Sequence, residues 1–256
     1  VKELMGLGIT PDVLVCRSSK PLNDETRQKL SAFCHVRPEA VFSTHDVPNI
    51  YHVPLMLEEQ GFCNILDIDC DKTGLLAEWR AMAHRLDELT EEVNIAMVGK
   101  YTDLSDAYLS VIKSLQHAAL AVERKLNIDW IEASDLEDAN NAEAWGLLRN
   151  ANGVLVPGGF GDRGIEGKVL AAQYARENNV PYLGICLGLQ VATIEFCRNV
   201  LGIEDATSTE FDADAANPAV IFMPEISKTH LGGTMRLGSR PTIFQVEDCV
   251  TKRLYG

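Results

Sequence analysis

Residues 181–190 read PYLGICLGLQ, and no other stretch so narrows the folds open to this chain. It has the pattern of a short buried strand that ends in a cysteine and turns at once into a helix. Gly184 and Gly188 stand two residues before and two residues after Cys186. This is the glycine–x–nucleophile–x–glycine elbow, with a thiol in place of a hydroxyl. Cβ atoms at the two glycines would crowd so tight a turn. A helix starting right after the cysteine aims its free N–H groups and positive dipole end at the sulfur, which favours thiolate over thiol. A lone cysteine is more often an inert, buried side chain, so a second element is needed, and residues 154–161 supply it. VLVPGGFG is another apolar strand running into glycines. Backbone N–H groups on such a turn can face a developing oxyanion, and one donor of this kind is worth about 3–4 kcal/mol in the transition state.

The surrounding pattern is α/β. Short apolar runs suited to buried strands occur at 12–16, 40–43, 93–99, 128–131 and 154–156, with another at Tyr182. Helices are expected over 22–33, capped by Asn23 or Asp24, and from Pro54 to a stop at Gly61. Further helices are expected over 142–149 and 166–178. Leu75, Trp79, Met82, Leu86 and Leu89 recur every three or four residues and give one helix an apolar face. From about Ser105 a longer helix is expected, with Tyr108, Val111, Ile112, Leu115, Ala119, Val122 and Leu126 on one side. Strands alternating with helices imply a parallel sheet covered on both faces, with its site at the carboxyl ends of the strands. Both glycine turns fall at that edge.

Composition excludes several classes. A net charge of −14 opposes non-specific binding to nucleic acid or an anionic membrane, and no apolar run is long enough to span a bilayer. The 7 cysteines have neither a disulfide-framework nor a zinc-finger spacing. No metal ligands are expected, and a reducing, cytoplasmic compartment is. No secretory signal heads the chain, and its first residues read as the middle of a fold. The chain is therefore expected to be a piece of a longer protein.

VLVPGGFGDRGIEGK followed by PYLGICLGLQ resembles the class I glutamine amidotransferases. The RGIEGK continuation, the STEF sequence at 208–211 and GGTMRLG at 232–238 are similar to the CTP synthase family in particular. So are residues 9–18 and 43–53, which resemble the end of that family's synthetase (amidoligase) domain. The resemblance implies a flavodoxin-like glutaminase domain over 92–256, preceded by the tail of a P-loop-type α/β synthetase domain over 1–61 and a linker with a helix over 62–91. It implies Cys186 as nucleophile, the N–H groups of Gly159 and Leu187 as oxyanion hole, and Phe160, Gln190 and Glu210 as contacts of L-glutamine. It places Lys29 near UTP and Asp46, with Val47, at the adenine side of ATP. ATP with Mg²⁺, activation by GTP and a homotetramer are implied for the intact enzyme.

Two features depart from that pattern. The family carries a His-x-Glu pair late in the glutaminase domain, whereas the one histidine after the elbow, His230, lies in THLG. The pair is expected beyond Gly256, which would leave the triad incomplete in these residues. No G-x-x-x-x-G-K-[ST] occurs either, so a phosphate cradle for ATP is not here. Another class I amidotransferase, a γ-glutamyl cysteine hydrolase and a catalytically dead glutaminase-like module remain alternatives.

Overall fold

The computed structural model describes residues 1–69, 75–100, 105–159, 161–222, 241 and 243–255. After α1 (Lys2–Gly6) comes a small α/β unit of β1 (Leu14–Arg17), α2 (Asp24–Cys34), β2 (Val41–Thr44), α3 (His52–Glu59) and α4 (Phe62–Ile65). β1 and β2 pair in parallel, with Leu14 opposite Val41 and Arg17 opposite Thr44. Asn23 caps α2 by accepting from the Thr26 N–H at 2.8 Å. β2 is wholly buried, but β1 alternates half-buried with exposed residues, and Val15 is exposed. The expected buried strand is thus half-buried, because among the described residues β1 pairs only with β2.

The amphipathic repeat forms α5 (Leu75–Glu88). It is tied backward through Trp79 Nε1, which donates to the Tyr51 carbonyl at 2.7 Å, and through the Arg80–Glu58 ion pair at 3.2 Å. It is tied forward by Arg85 to Glu123 at 3.4 Å.

Next come β3 (Glu92–Gly99), α6 (Leu109–Ala121), β4 (Lys125–Glu132), α7 (Ala142–Asn150), β5 (Gly153–Val156), α8 (Ile165–Glu177), β6 (Tyr182–Gly184) and α9 (Leu187–Asn199). The four strands form a parallel sheet in the order β4-β3-β5-β6. Every residue of β5 is buried, as a central strand covered on both faces requires. Ala96, Val98, Val154 and Val156 of the sheet share one core with Val169 and Ala175 of α8 and Leu187, Val191 and Ile194 of α9. Two short parallel strands, β7 (Thr207–Ser208) and β8 (Pro218–Val220), pack against α9, and α10 (Val250–Tyr255) is the last element among the described residues.

Three expectations need correcting. The helix expected to continue through Val122 and Leu126 stops at Ala121. Glu123 is left-handed at φ 56°, Val122 is exposed, and Leu126 already belongs to β4. The periodicity ran on because apolar residues of a helix end and of a strand start fell by chance on one helical phase. The strand leading into the elbow is also less buried than its composition implies. β6 pairs only with β5 among the described residues and leaves Leu183 53% exposed. Finally, Cys63 is disulfide-bonded, although the cysteine spacing is no disulfide framework and a reducing compartment is expected.

Candidate active site

The elbow exists as the glycine spacing requires. Cys186 sits between β6 and α9 with φ 55° and ψ −109°, a backbone region that costs a non-glycine residue of order 1–3 kcal/mol. Its neighbours hold it there. The Ile185 N–H donates to the Val156 carbonyl at 2.9 Å, and the Leu189 and Gln190 N–H groups donate to the Cys186 carbonyl at 3.0 and 3.2 Å. Both flanking glycines are steric necessities. A Cβ on Gly184 would lie 2.4 Å from the Gly188 carbonyl, and one on Gly188 would lie 2.0 Å from the Val156 oxygen. The Tyr182 hydroxyl donates to the Gly188 carbonyl at 2.7 Å, and burial pushes this phenol's pKa up, keeping it a donor. Strain, glycine packing and helix start together present an exposed thiol.

The second glycine turn lies against this thiol. A Cβ on Gly158 would meet Cys186 Cβ at 3.3 Å and Sγ at 3.8 Å, and one on Gly159 would meet the Leu187 side chain at 3.7 Å. The two motifs, far apart in sequence, therefore form one site. The Leu187 N–H heads α9, ahead of the helix's first internal bond, and is available as a donor.

Two buried lysines lie behind the glycine turn. Lys168, 1% exposed, brings Nζ to 3.9 Å from where a Gly159 Cβ would be, and Lys100 donates to the Gly161 carbonyl at 3.2 Å. Arg163 donates to Glu132 at 3.0 Å across the same corner. Burial, then repulsion from Lys100, brings Lys168 down to about 8, while Glu132 pulls the other way. Sequence reasoning missed both lysines. Lys168 stands in the RGIEGK motif, but near the start of a helix a lysine reads as a solvated charge.

A pH dependence follows. Below about pH 8 Lys168 is charged in the folded and unfolded chain alike, and its burial costs stability. Between about 8 and the ordinary 10.5 the folded chain gives up the proton first, so stability rises with pH across that window. The effect is at most about 3 kcal/mol. Lys168→Met is expected to be more stable than the parent at pH 7 and to lose that advantage towards pH 10, as read by urea denaturation. Equal pH slopes for the two proteins would count against it.

Other expected site residues are distributed as follows. Gln190 is half-buried in the first turn of α9. Glu210 is exposed just after β7, its N–H donating to Ser208 Oγ at 3.2 Å. The neighbouring Phe211 and Thr207 line a cleft of about 540 Å³ with residues 162–166. Phe160, His230 and residues 232–238 lie outside the described residues. Among the described residues no base pairs with Cys186. Lys29 is exposed on α2 and bonded to Glu25 at 2.6 Å. Asp46 is paired with Arg17 beyond the carboxyl ends of β1 and β2, next to the half-buried Val47.

Fold and site together define a parallel α/β domain built around a cysteine elbow. Residues 103–255 match the family described as glutamine amidotransferase class-I, and the chain belongs to that family. Residues 1–69 match the description CTP synthase N-terminus. The whole chain is 52% identical to the CTP synthase of Dictyostelium discoideum, of which it covers 49%, and 51% identical to human CTP synthase 1, of which it covers 46%. It thus spans about half the length of these curated relatives. A solved structure of the Trypanosoma brucei CTPS glutaminase domain with bound acivicin is similar over 54% of this chain and 53% of that one, at 45% identity and a TM-score of 0.50.

Proposed function

We propose that this chain provides the glutaminase half of a CTP synthase, joined through a linker to the end of the synthetase domain, with divisions near residues 61 and 91. The carrying observation is the contact between the Gly158–Gly159 turn and Cys186 on its strained elbow. In this reading Cys186 Sγ attacks the side-chain carbonyl carbon of L-glutamine, and the oxyanion is received by the Leu187 and Gly159 N–H groups. Collapse of the tetrahedral adduct breaks the C–N bond, releases ammonia and leaves a γ-glutamyl thioester. Water then cleaves the thioester to glutamate and the free thiol. Phe160, Gln190 and Glu210 hold the substrate, with Glu210 accepting from the α-ammonium. The ligand of the trypanosomal neighbour, acivicin, is expected to react at the same thiol. The leaving nitrogen must receive the proton taken from the thiol, carried by a group that acts first as base and then as acid, and none of the described contacts of Cys186 provides that group.

The proposal extends to amination of UTP to CTP by the intact enzyme, with ATP, Mg²⁺ and GTP as its small-molecule ligands, as a homotetramer in the cytoplasm. Lys29, Asp46 and Val47 suit only the edge of a nucleotide site. Lys29 and Asp46 are exposed side chains already engaged in ion pairs, and the sequence has no phosphate-cradling glycine loop.

The test is ammonia release from L-glutamine by these 256 residues, with and without added imidazole as a substitute base. Imidazole should raise the rate of the parent and leave Cys186→Ala at background. Ammonia release that is indifferent to Cys186→Ala would sink the reading.

A further inference from the structure

We propose that His52, His84 and Asp87 form a binding site for one divalent transition-metal ion, of the Zn²⁺ type, that clips the linker helix α5 to the N-terminal unit. The three side chains come from two elements. His52 opens α3, while His84 and Asp87, three apart on α5, share one face of that helix. One ligand atom from each lies within 4.8 Å of the other two. His52 Nε2 is 2.6 Å from Asp87 Oδ2, and the His84 ring stands edge-on to His52 with centroids 5.2 Å apart. Ligands at bond lengths of about 2.0–2.2 Å around a tetrahedral ion are separated by roughly 3.3 Å. The pair at 2.6 Å need open only slightly, and His84 need swing in by a rotamer adjustment.

The surroundings support the carboxylate as a ligand. Asn49 Nδ2 donates to Asp87 Oδ1 at 2.7 Å and to the Ala83 carbonyl at 3.1 Å. It fixes the carboxylate from behind and leaves Oδ2 directed at the imidazoles, the arrangement that orients metal ligands elsewhere. Two imidazoles and one carboxylate suit Zn²⁺, Co²⁺ or Ni²⁺ rather than Mg²⁺ or Ca²⁺. The His52 and Asp87 side chains are 16% and 33% exposed, so an ion can enter without unfolding.

The location gives the site a consequence. Tyr51, next to His52, accepts the Trp79 indole through its carbonyl and bonds His117 of α6 through its hydroxyl at 2.6 Å. An ion here would fix the joint where the N-terminal unit, α5 and the first helix of the glutaminase sheet meet. None of the three ligands takes part in the glutamine or nucleotide chemistry proposed above.

The experiment is titration of the chelator-stripped chain with Co²⁺, followed by visible absorption, and displacement by Zn²⁺. One equivalent is expected to bind at micromolar free ion, with a nitrogen–oxygen spectrum and no thiolate charge-transfer band. His84→Ala and Asp87→Asn, both at exposed positions, should each weaken binding by about tenfold or more. Zn²⁺ should raise the Tm of the parent and not of either variant. No binding up to millimolar ion, binding undiminished in His84→Ala, or a spectrum dominated by thiolate would each overturn the proposal.

Discussion

Gly188→Ala is expected to destabilise the protein by about 4 kcal/mol or more and to abolish the special reactivity of Cys186. The added Cβ would lie 2.0 Å from the carbonyl oxygen and 2.9 Å from the carbonyl carbon of Val156. Those are backbone atoms of the fully buried central strand β5, so neither side can give way by a rotamer change. Relief would require α9 to lift off the sheet, which would open the packing of Leu187, Val191 and Ile194, all at most 1% exposed. The same shift would break the 2.9 Å bond from the Ile185 N–H to Val156 that holds the entry to the elbow. Gly146→Ala on α7 is the control. Nothing lies within 4 Å of its Cβ position, and alanine there should be neutral or stabilising by up to about 1 kcal/mol. Urea denaturation and the alkylation rate of Cys186 measure both outcomes. A Gly188→Ala protein as stable as the Gly146→Ala control would mean the elbow is not built as described.

Arg176→Met is expected to destabilise the protein clearly, because it strands a buried carboxylate rather than because it removes an ion pair. The Glu195 side chain is 3% exposed, on the inner face of α9. Arg176 on α8 donates to it through Nε at 3.0 and 3.1 Å and through Nη2 at 2.8 Å. After the substitution only Asn199, at 3.1 Å, would remain among the described residues as a donor to that carboxylate. Arg176→Met combined with Glu195→Leu should recover most of the loss, since no buried charge is left. Denaturation of the single and double variants checks this. A double variant as unstable as the single one would show that the contact matters for packing and not for charge. The pair joins the two helices that carry Lys168 and the elbow, so it also fixes the spacing of the site.

The elbow was legible because its constraints are local. A strand, a cysteine and glycines at fixed offsets leave few alternatives, and the structure places Cys186 where those offsets require. The Gly158–Gly159 turn was legible for the same reason, though its contact with the thiol depends on β5 and β6 being neighbours, which only the parallel sheet supplies. The end of α6 was not legible. Val122 and Leu126 satisfy a helical period, and the left-handed Glu123 between them carries no glycine or proline to announce a break. Lys168 and Glu195 were invisible for a different reason. A charged residue in a helix is expected in water, and its burial is decided by partners far away in the chain. The His52, His84 and Asp87 cluster likewise joins segments whose proximity no spacing rule encodes.

The most direct test of the central claim is site-mapped mass spectrometry after brief exposure to a chloroketone analogue of glutamine. One dominant adduct is expected, on Cys186, that L-glutamine suppresses and L-asparagine does not. Cys16, Cys34, Cys197 and Cys249, the other free thiols of the described residues, should stay largely unmodified. Adducts spread over these cysteines in order of exposure, with no protection by glutamine, would contradict it.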